Sequence, residues 1–168
     1  MSARHVFVTA LLLTCALQAG AVQAWRGTVT RVSDGDTLWV RPAAGGKPVK
    51  VRIDGIDAPE ICQAGGRAAR HALAGRVQGR QLELLARGQD DYGRTVAALH
   101  LEGEDIAAWM VSQGHAWSYG FGRDGGTYAA LQVSAQLAAR GLFADRTALA
   151  PRLFRKRHGP CERADGRR

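Results

Sequence analysis

The sequence contains no internal repeat and no run of the roughly 20 apolar residues that a bilayer-spanning helix needs, which excludes repeat architectures and argues against a membrane anchor or a buried helix at the amino terminus. Cysteine is scarce, at three residues, and the histidines at positions 5, 71, 100, 115 and 158 show no ligand spacing. A zinc site, which prefers imidazole and thiolate, is therefore not indicated. Charge of one sign is also missing from the body of the chain. Residues 25–145 hold fourteen basic and thirteen acidic side chains, whereas residues 146–168 hold eight basic and two acidic ones. Nearly all of the net charge of +8 sits in that tail. A cationic tail attracts polyanions or an anionic membrane surface, and its plainer reading is a solvated, partly disordered end that aids solubility.

What is present begins with the pattern of a secretory signal peptide. Arg4 and His5 precede an uncharged run at 6–20, and Ala21-Val22-Gln23-Ala24 offers small residues for processing before Trp25. Residues 1–24 are thus expected to direct export, to the periplasm or beyond. Cys15 follows Leu12-Leu13-Thr14, a loose lipoprotein pattern, but Thr14 is larger than the residue usual before a lipidated cysteine. After processing, about 144 residues remain, enough for one domain with a single core. That domain is expected over 25–145, followed by the basic tail at 146–168. Cys62 and Cys161 then form an even pair in an oxidising compartment. A disulfide tying the tail to the loop after Pro59-Glu60 is expected, with two unrelated thiols as the alternative.

Strand-like alternation runs through 27–32, 37–40 and 49–53, separated by turn signals at Asp34-Gly35-Asp36 and at 42–46. A loop at 55–66 leads to residues 67–77, whose Ala, Leu and Arg at helical spacing predict an amphipathic helix. Residues 81–85 and 95–101 flank a polar turn at 88–93 and predict a second hairpin. Asp105 is placed to cap a helix through Ile106, Met110 and Val111 that stops at Gly114, and a third helix over 128–139 stops at Gly141. The expectation is an α+β domain, with five strands forming a small Greek-key OB-type barrel accompanied by three helices.

The chemistry-bearing residues cluster in three stretches. In Val51-Arg52-Ile53-Asp54-Gly55-Ile56-Asp57-Ala58-Pro59-Glu60 a strand carrying an arginine runs into a loop carrying two carboxylates. Asp34-Gly35-Asp36-Thr37 lies at a hairpin tip, where Asp-Gly serves the turn by itself. Asp36, one residue beyond the turn glycine, comes beside Asp57 if the third strand pairs back, and the two carboxylates can then face one hard cation. Alone, any of these carboxylates is more often a solvated or capping residue.

Together, DGDT at 34–37, VRIDGIDAPE at 51–60 and DYGR at 91–94 resemble the signature set of the staphylococcal nuclease (thermonuclease) family, in the same order, over roughly residues 28–143. The resemblance implies a five-stranded OB-type barrel with three helices. It implies calcium held by Asp36, Asp57 and the Ala58 carbonyl, with Asp34 just outside that set orienting water. Arg52, Glu60 and Arg94 take the catalytic positions. Tyr92 and Tyr119 fall where the family has tyrosines that contact nucleotide, with ordinary packing as the competing reading. One departure is Asp91, a negative charge where the family often has lysine.

The implied chemistry has a physical logic. Hydrolysis of a phosphodiester concentrates negative charge on the phosphoryl oxygens, which a divalent cation and two guanidinium forks can meet. Lysine lacks the fork. Glu60, held beyond Asp57 by the stiff Pro59, is placed to take a proton from the attacking water. The resulting expectation is a calcium-dependent, sugar-nonspecific nuclease for DNA and RNA. It favours single strands, works as a monomer and needs no obligate protein partner. A catalytically inactive nucleic-acid-binding module on the same barrel is the alternative.

Overall fold

The computed structural model describes residues 23–120, 125–159 and 161; residues 1–22 of the expected export signal and residues 160 and 162–168 of the expected basic tail lie outside them. Strands β1 (Gln23–Val32), β2 (Thr37–Pro42) and β3 (Val49–Ile53) form an antiparallel meander, with Val29 opposite Val40 and Leu38 opposite Val51. The two-residue strand β4 (Ile56–Asp57) follows, then helix α1 (Gly66–Val77). Strands β5 (Gln81–Gln89) and β6 (Thr95–Leu101) make the second hairpin. β5 pairs with β1, and β6 closes the barrel by pairing in parallel with β3, so that Arg52 lies opposite Val96. A short β7 (Glu104–Asp105) leads into α2 (Ile106–Ser112). Then come β8 (Trp117–Ser118), α3 (Ala129–Leu137), a 3-10 turn at Gly141–Ala144 and α4 (Pro151–His158).

The closed five-stranded barrel is the OB-type architecture that the strand pattern predicts. Among the described residues three two-residue strands are added to the five, too short for alternation to reveal them. α4 adds a fourth helix, within the tail otherwise read as a solvated end.

Burial explains the closure. On β5, Leu82, Leu84 and Ala86 point inward while Glu83 and Leu85 point out, and on β6 Ala97, Leu99 and Leu101 do the same. They meet Val29, Leu38, Val40, Val51 and Ile53 inside the barrel, and α1 and α2 add Leu73, Val77, Ile106 and Met110. Asp105 caps α2 by accepting from the Ala108 N–H at 3.1 Å. Its other oxygen accepts from the Tyr128 hydroxyl at 2.8 Å, which ties the start of α3 to the start of α2. Burial, followed by the bond to Asp105, pushes the Tyr128 hydroxyl well above the usual phenol range. Among the described residues no helix is long and apolar enough to cross a membrane.

Because Leu38 is fully buried in this core, Leu38→Ala is expected to lower unfolding free energy by about 2–5 kcal/mol. Urea denaturation followed by far-UV circular dichroism measures that loss.

Candidate functional site

The barrel brings three separate chain segments to one side. The tip of the β1–β2 hairpin closes when Ser33 N–H donates to the Thr37 carbonyl at 2.9 Å and Asp36 N–H to the Asp34 carboxylate at 3.1 Å. The tip is fixed to β3 by Ile53 N–H, which donates to the Asp36 carbonyl at 2.8 Å. Gly35 permits the approach to the next segment: a Cβ there would lie 2.7 Å from the Ala58 Cβ and 2.8 Å from that of Ala69 on α1.

Arg52, near the end of β3, spans the gap between the hairpin tip and the β4 loop. Its Nη1 donates to Asp36 Oδ2 at 2.6 Å, while Nη2 donates to Asp57 Oδ1 at 3.2 Å and to the Ile56 carbonyl at 3.1 Å. Both carboxylates are nearly sealed from water, Asp36 at 6% and Asp57 at 4% exposure. Asp36 also accepts from Ala58 N–H at 3.1 Å and from the Thr37 hydroxyl at 2.8 Å. Burial works against its charge, but Arg52 and these donors outweigh it and hold Asp36 below the usual carboxylate range. Burial, reinforced by the charge of Asp36, pushes Asp34 the other way, up to about 7.

Arg94 comes from the start of the last barrel strand. Its Nε pairs with Asp90 Oδ2 at 2.7 Å, its Nη1 donates to the Thr37 hydroxyl at 3.3 Å, and its guanidinium lies 5.3 Å from the centre of the Tyr92 ring. Thr37 therefore links Arg94 to Asp36. Tyr92, 83% exposed, stands at the rim. Tyr119 follows β8 and donates its backbone N–H to the Gly55 carbonyl at 2.8 Å.

Glu60 lies in the loop before α1. Gly66, the first residue of that helix, packs directly on it: a Cβ at Gly66 would fall 1.9 Å from the Glu60 carbonyl oxygen. Gln63 N–H donates to that same oxygen at 2.8 Å. Asp34, Asp36, Arg52, Ala58, Glu60, Arg94, Tyr92 and Tyr119 all line one cleft of about 850 Å³, with Asp91 on its wall. Asp57 lies just beneath, linked through Arg52. The residues singled out for chemistry in the sequence thus converge.

Two further features of the cleft belong to the tail. Cys62 and Cys161 are joined by a disulfide, with their Cα atoms 5.8 Å apart. Arg155, on α4, reaches the same cleft: its Nη2 pairs with Asp57 Oδ2 at 3.0 Å, and its Nη1 with Glu60 Oε1 at 2.7 Å and Asp57 Oδ1 at 3.3 Å. Burial opposes its charge, and the bonds to Asp57 and Glu60 more than restore it, so Arg155 is held even more firmly protonated than usual. Nothing in the basic run 152–157 distinguishes Arg155 from its neighbours. The available signal is the cysteine pair, which anchors the tail two residues beyond Glu60.

The donor set fits a hard divalent cation. Asp34, Asp36 and Glu60 line the cleft with Asp57 just beneath, and among the described residues neither histidine nor cysteine lines it. Among the described residues no three of His, Cys, Asp and Glu form a ready-made metal cage. Arg155 supplies one positive charge to Asp57 and Glu60.

Fold and cleft together define an OB-type barrel with a carboxylate-and-arginine centre on one side. Residues 50–145 match the model of the family described as staphylococcal nuclease homologue, and the chain belongs to that family. It is 35% identical over 154 residues to an uncharacterized endonuclease of Haemophilus influenzae, an alignment covering 91% of this chain and 86% of that one. To protein ParB of Escherichia coli it is 36% identical over 150 residues, covering 81% and 84%. To a micrococcal nuclease of Shigella flexneri it is 35% identical over 111 residues, covering 59% and 63%.

Removing Arg52 would leave the buried Asp36 on the hairpin without a counter-charge and Asp57 on the β4 loop with Arg155 alone. Arg52→Ala is expected to destabilise the fold by about 3–5 kcal/mol, measured by urea denaturation. Arg52→Lys should recover only part of this, because an ammonium cannot reach two partners as a fork does.

Proposed function

We propose that the protein is a calcium-dependent, sugar-nonspecific nuclease that hydrolyses phosphodiester bonds of DNA and RNA by in-line attack of water. The observation that carries this reading is the meeting of Asp36, Asp57, Arg52, Glu60 and Arg94 around one cleft from three distant parts of the chain. Relatives named endonuclease and micrococcal nuclease support the same activity.

Asp36, Asp57 and the Ala58 carbonyl are the groups that would hold the ion. When bound, calcium supplies positive charge to a phosphoryl oxygen and orients the nucleophilic water. The protein's own residues do the rest. Arg52 and Arg94 donate charge-assisted hydrogen bonds to the phosphoryl oxygens, whose negative charge grows as the water attacks. Glu60 accepts the proton that the water gives up. Asp34 orients water beside the carboxylate pair. Tyr92 at the rim and Tyr119 on the wall offer aromatic faces to unstacked bases, which favours single strands. Asp91 beside Tyr92 counters this attraction with its charge.

Incubating the mature protein with single-stranded DNA, in calcium and then in chelator, tests this reading. Cleavage is expected only with calcium. Glu60→Gln should lower kcat about 10²–10⁴-fold and Arg94→Ala about 10²–10³-fold. Binding without cleavage would mark an inactive nucleic-acid-binding module instead.

Residues 1–24 act as an export signal, residues 25–145 as the catalytic domain, and 146–168 as a basic extension of it. The Cys62–Cys161 bond supports an oxidising compartment. Cleavage after Ala24 would trim two residues from β1 and leave Trp25 paired opposite Leu84. Mass spectrometry of the protein from periplasm or medium should give a chain beginning at Trp25 with no free thiol. A full-length cytosolic chain with reduced cysteines would contradict export.

A further inference from the structure

The helix that carries Arg155 is poorly secured by apolar contact. Pro151 is its one buried residue, and Leu153 is 47% exposed. Phe154 and His158 line an open, largely apolar cavity of about 560 Å³ together with Ala64, Ala68 and Leu142. Among the described residues, polar and covalent attachments hold α4 instead. Ahead of it, Gln63 Nε2 donates to the Leu149 carbonyl at 2.6 Å. Beyond its end, Cys161 is bonded to Cys62. Between them, Arg155 itself grips Asp57 and Glu60. Two of the anchors, Cys62 and Gln63, directly follow the segment that bears Glu60, so the clamp is local to the cleft.

We propose that Arg155, delivered by the disulfide-clamped helix α4, is a positioning residue that restrains Asp57 and Glu60 and trades affinity for the divalent cation against affinity for the substrate phosphate. This rests on the nuclease reading above and goes beyond it. Arg155 occupies both oxygens of Asp57, at 3.0 and 3.3 Å, so a cation seeking that carboxylate must share it with a guanidinium. Without Arg155, the formal charges of Asp36, Asp57 and Glu60 against Arg52 sum to −2. With Arg155 they sum to −1.

The first balance draws a divalent cation more strongly. With a divalent cation bound, the second leaves this set of five side chains and the ion at +1 rather than 0, which favours an anionic phosphodiester. One side chain therefore moves the two affinities in opposite directions, whereas a purely structural residue would weaken both when removed. The cysteine pair sets how firmly the side chain is presented, since opening the bond frees the carboxyl end of α4.

The test compares the intact, disulfide-bonded mature protein with Arg155→Ala and Arg155→Lys. Calcium binding is followed by isothermal titration calorimetry without nucleic acid, and kcat and KM are measured on a single-stranded oligodeoxynucleotide. Arg155 is 39% exposed, so its truncation leaves no buried cavity. Arg155→Ala is expected to bind calcium about three- to tenfold more tightly, and to raise KM by a similar factor, the size expected of one partly solvated charge at short range. Arg155→Lys should restore much of the KM, because it keeps the charge, and little of the restraint on Glu60, so its kcat stays below wild type.

Cys161→Ser should shift calcium affinity and KM in the same directions as Arg155→Ala. If it shifts neither while Arg155→Ala shifts both, the clamp is overturned as the delivering element. A wild type that binds calcium and cleaves, with Arg155→Ala changing neither affinity or weakening both, overturns this proposal alone. A wild type that neither binds calcium nor cleaves overturns the nuclease reading and this one with it.

Discussion

The cleft depends on one guanidinium, that of Arg52, which bridges two nearly sealed carboxylates of like charge, Asp36 and Asp57. Asp36 is at a hairpin tip, and Asp57 is in a strand of only two residues. Neither position could hold a buried negative charge by packing alone, since the transfer of an unpaired carboxylate out of water is prohibitive. β3 supplies the arginine in register because its inward neighbours Val51 and Ile53 belong to the barrel core, leaving Arg52 on the other face. Hydrophobic closure of the barrel and electrostatic assembly of the cleft are therefore the same event seen from opposite sides of one strand.

Around that guanidinium the cleft is built as an alternation of charges. Arg94 is braced by Asp90 and linked through Thr37 to Asp36, while Arg155 bridges Asp57 and Glu60. No cation in this chain of contacts stands on a single carboxylate partner without a second hydrogen bond. Pairing of this kind fixes side chains in direction, which is what a centre acting by charge stabilisation requires, since dipoles and charges already in place need no reorganisation during reaction. Preorganisation has a structural cost, visible in the close approaches at Gly35 and Gly66, where any side chain would force the hairpin or the Glu60 loop aside.

Much of this was legible in the chain. The period-two alternation of β5 and β6, the turn signals at the hairpin, and the Asp105 cap all reflect local rules, and the strands and first three helices follow them to within a few residues. The convergence of Arg52, Asp57 and Glu60 was legible because they share ten residues at one strand end. The strands β4, β7 and β8 were not, because two residues carry no periodicity. Nor was α4: a helix with four basic residues in its last turn and little apolar face has the composition of a solvated tail, and what holds it is a covalent bond and ion pairs from elsewhere.

The sequence by itself determined the barrel, its five strands and the presence of a carboxylate-and-arginine set. Those features rest on local propensity, on alternation, and on residues close together in the chain. Only the tertiary structure decided that Arg155 enters the cleft and which of the tail's basic residues does so. That selection turns on the direction of one helix, set by a bond spanning 99 residues, and helical phase relative to a distant loop is not written in any short stretch of the chain.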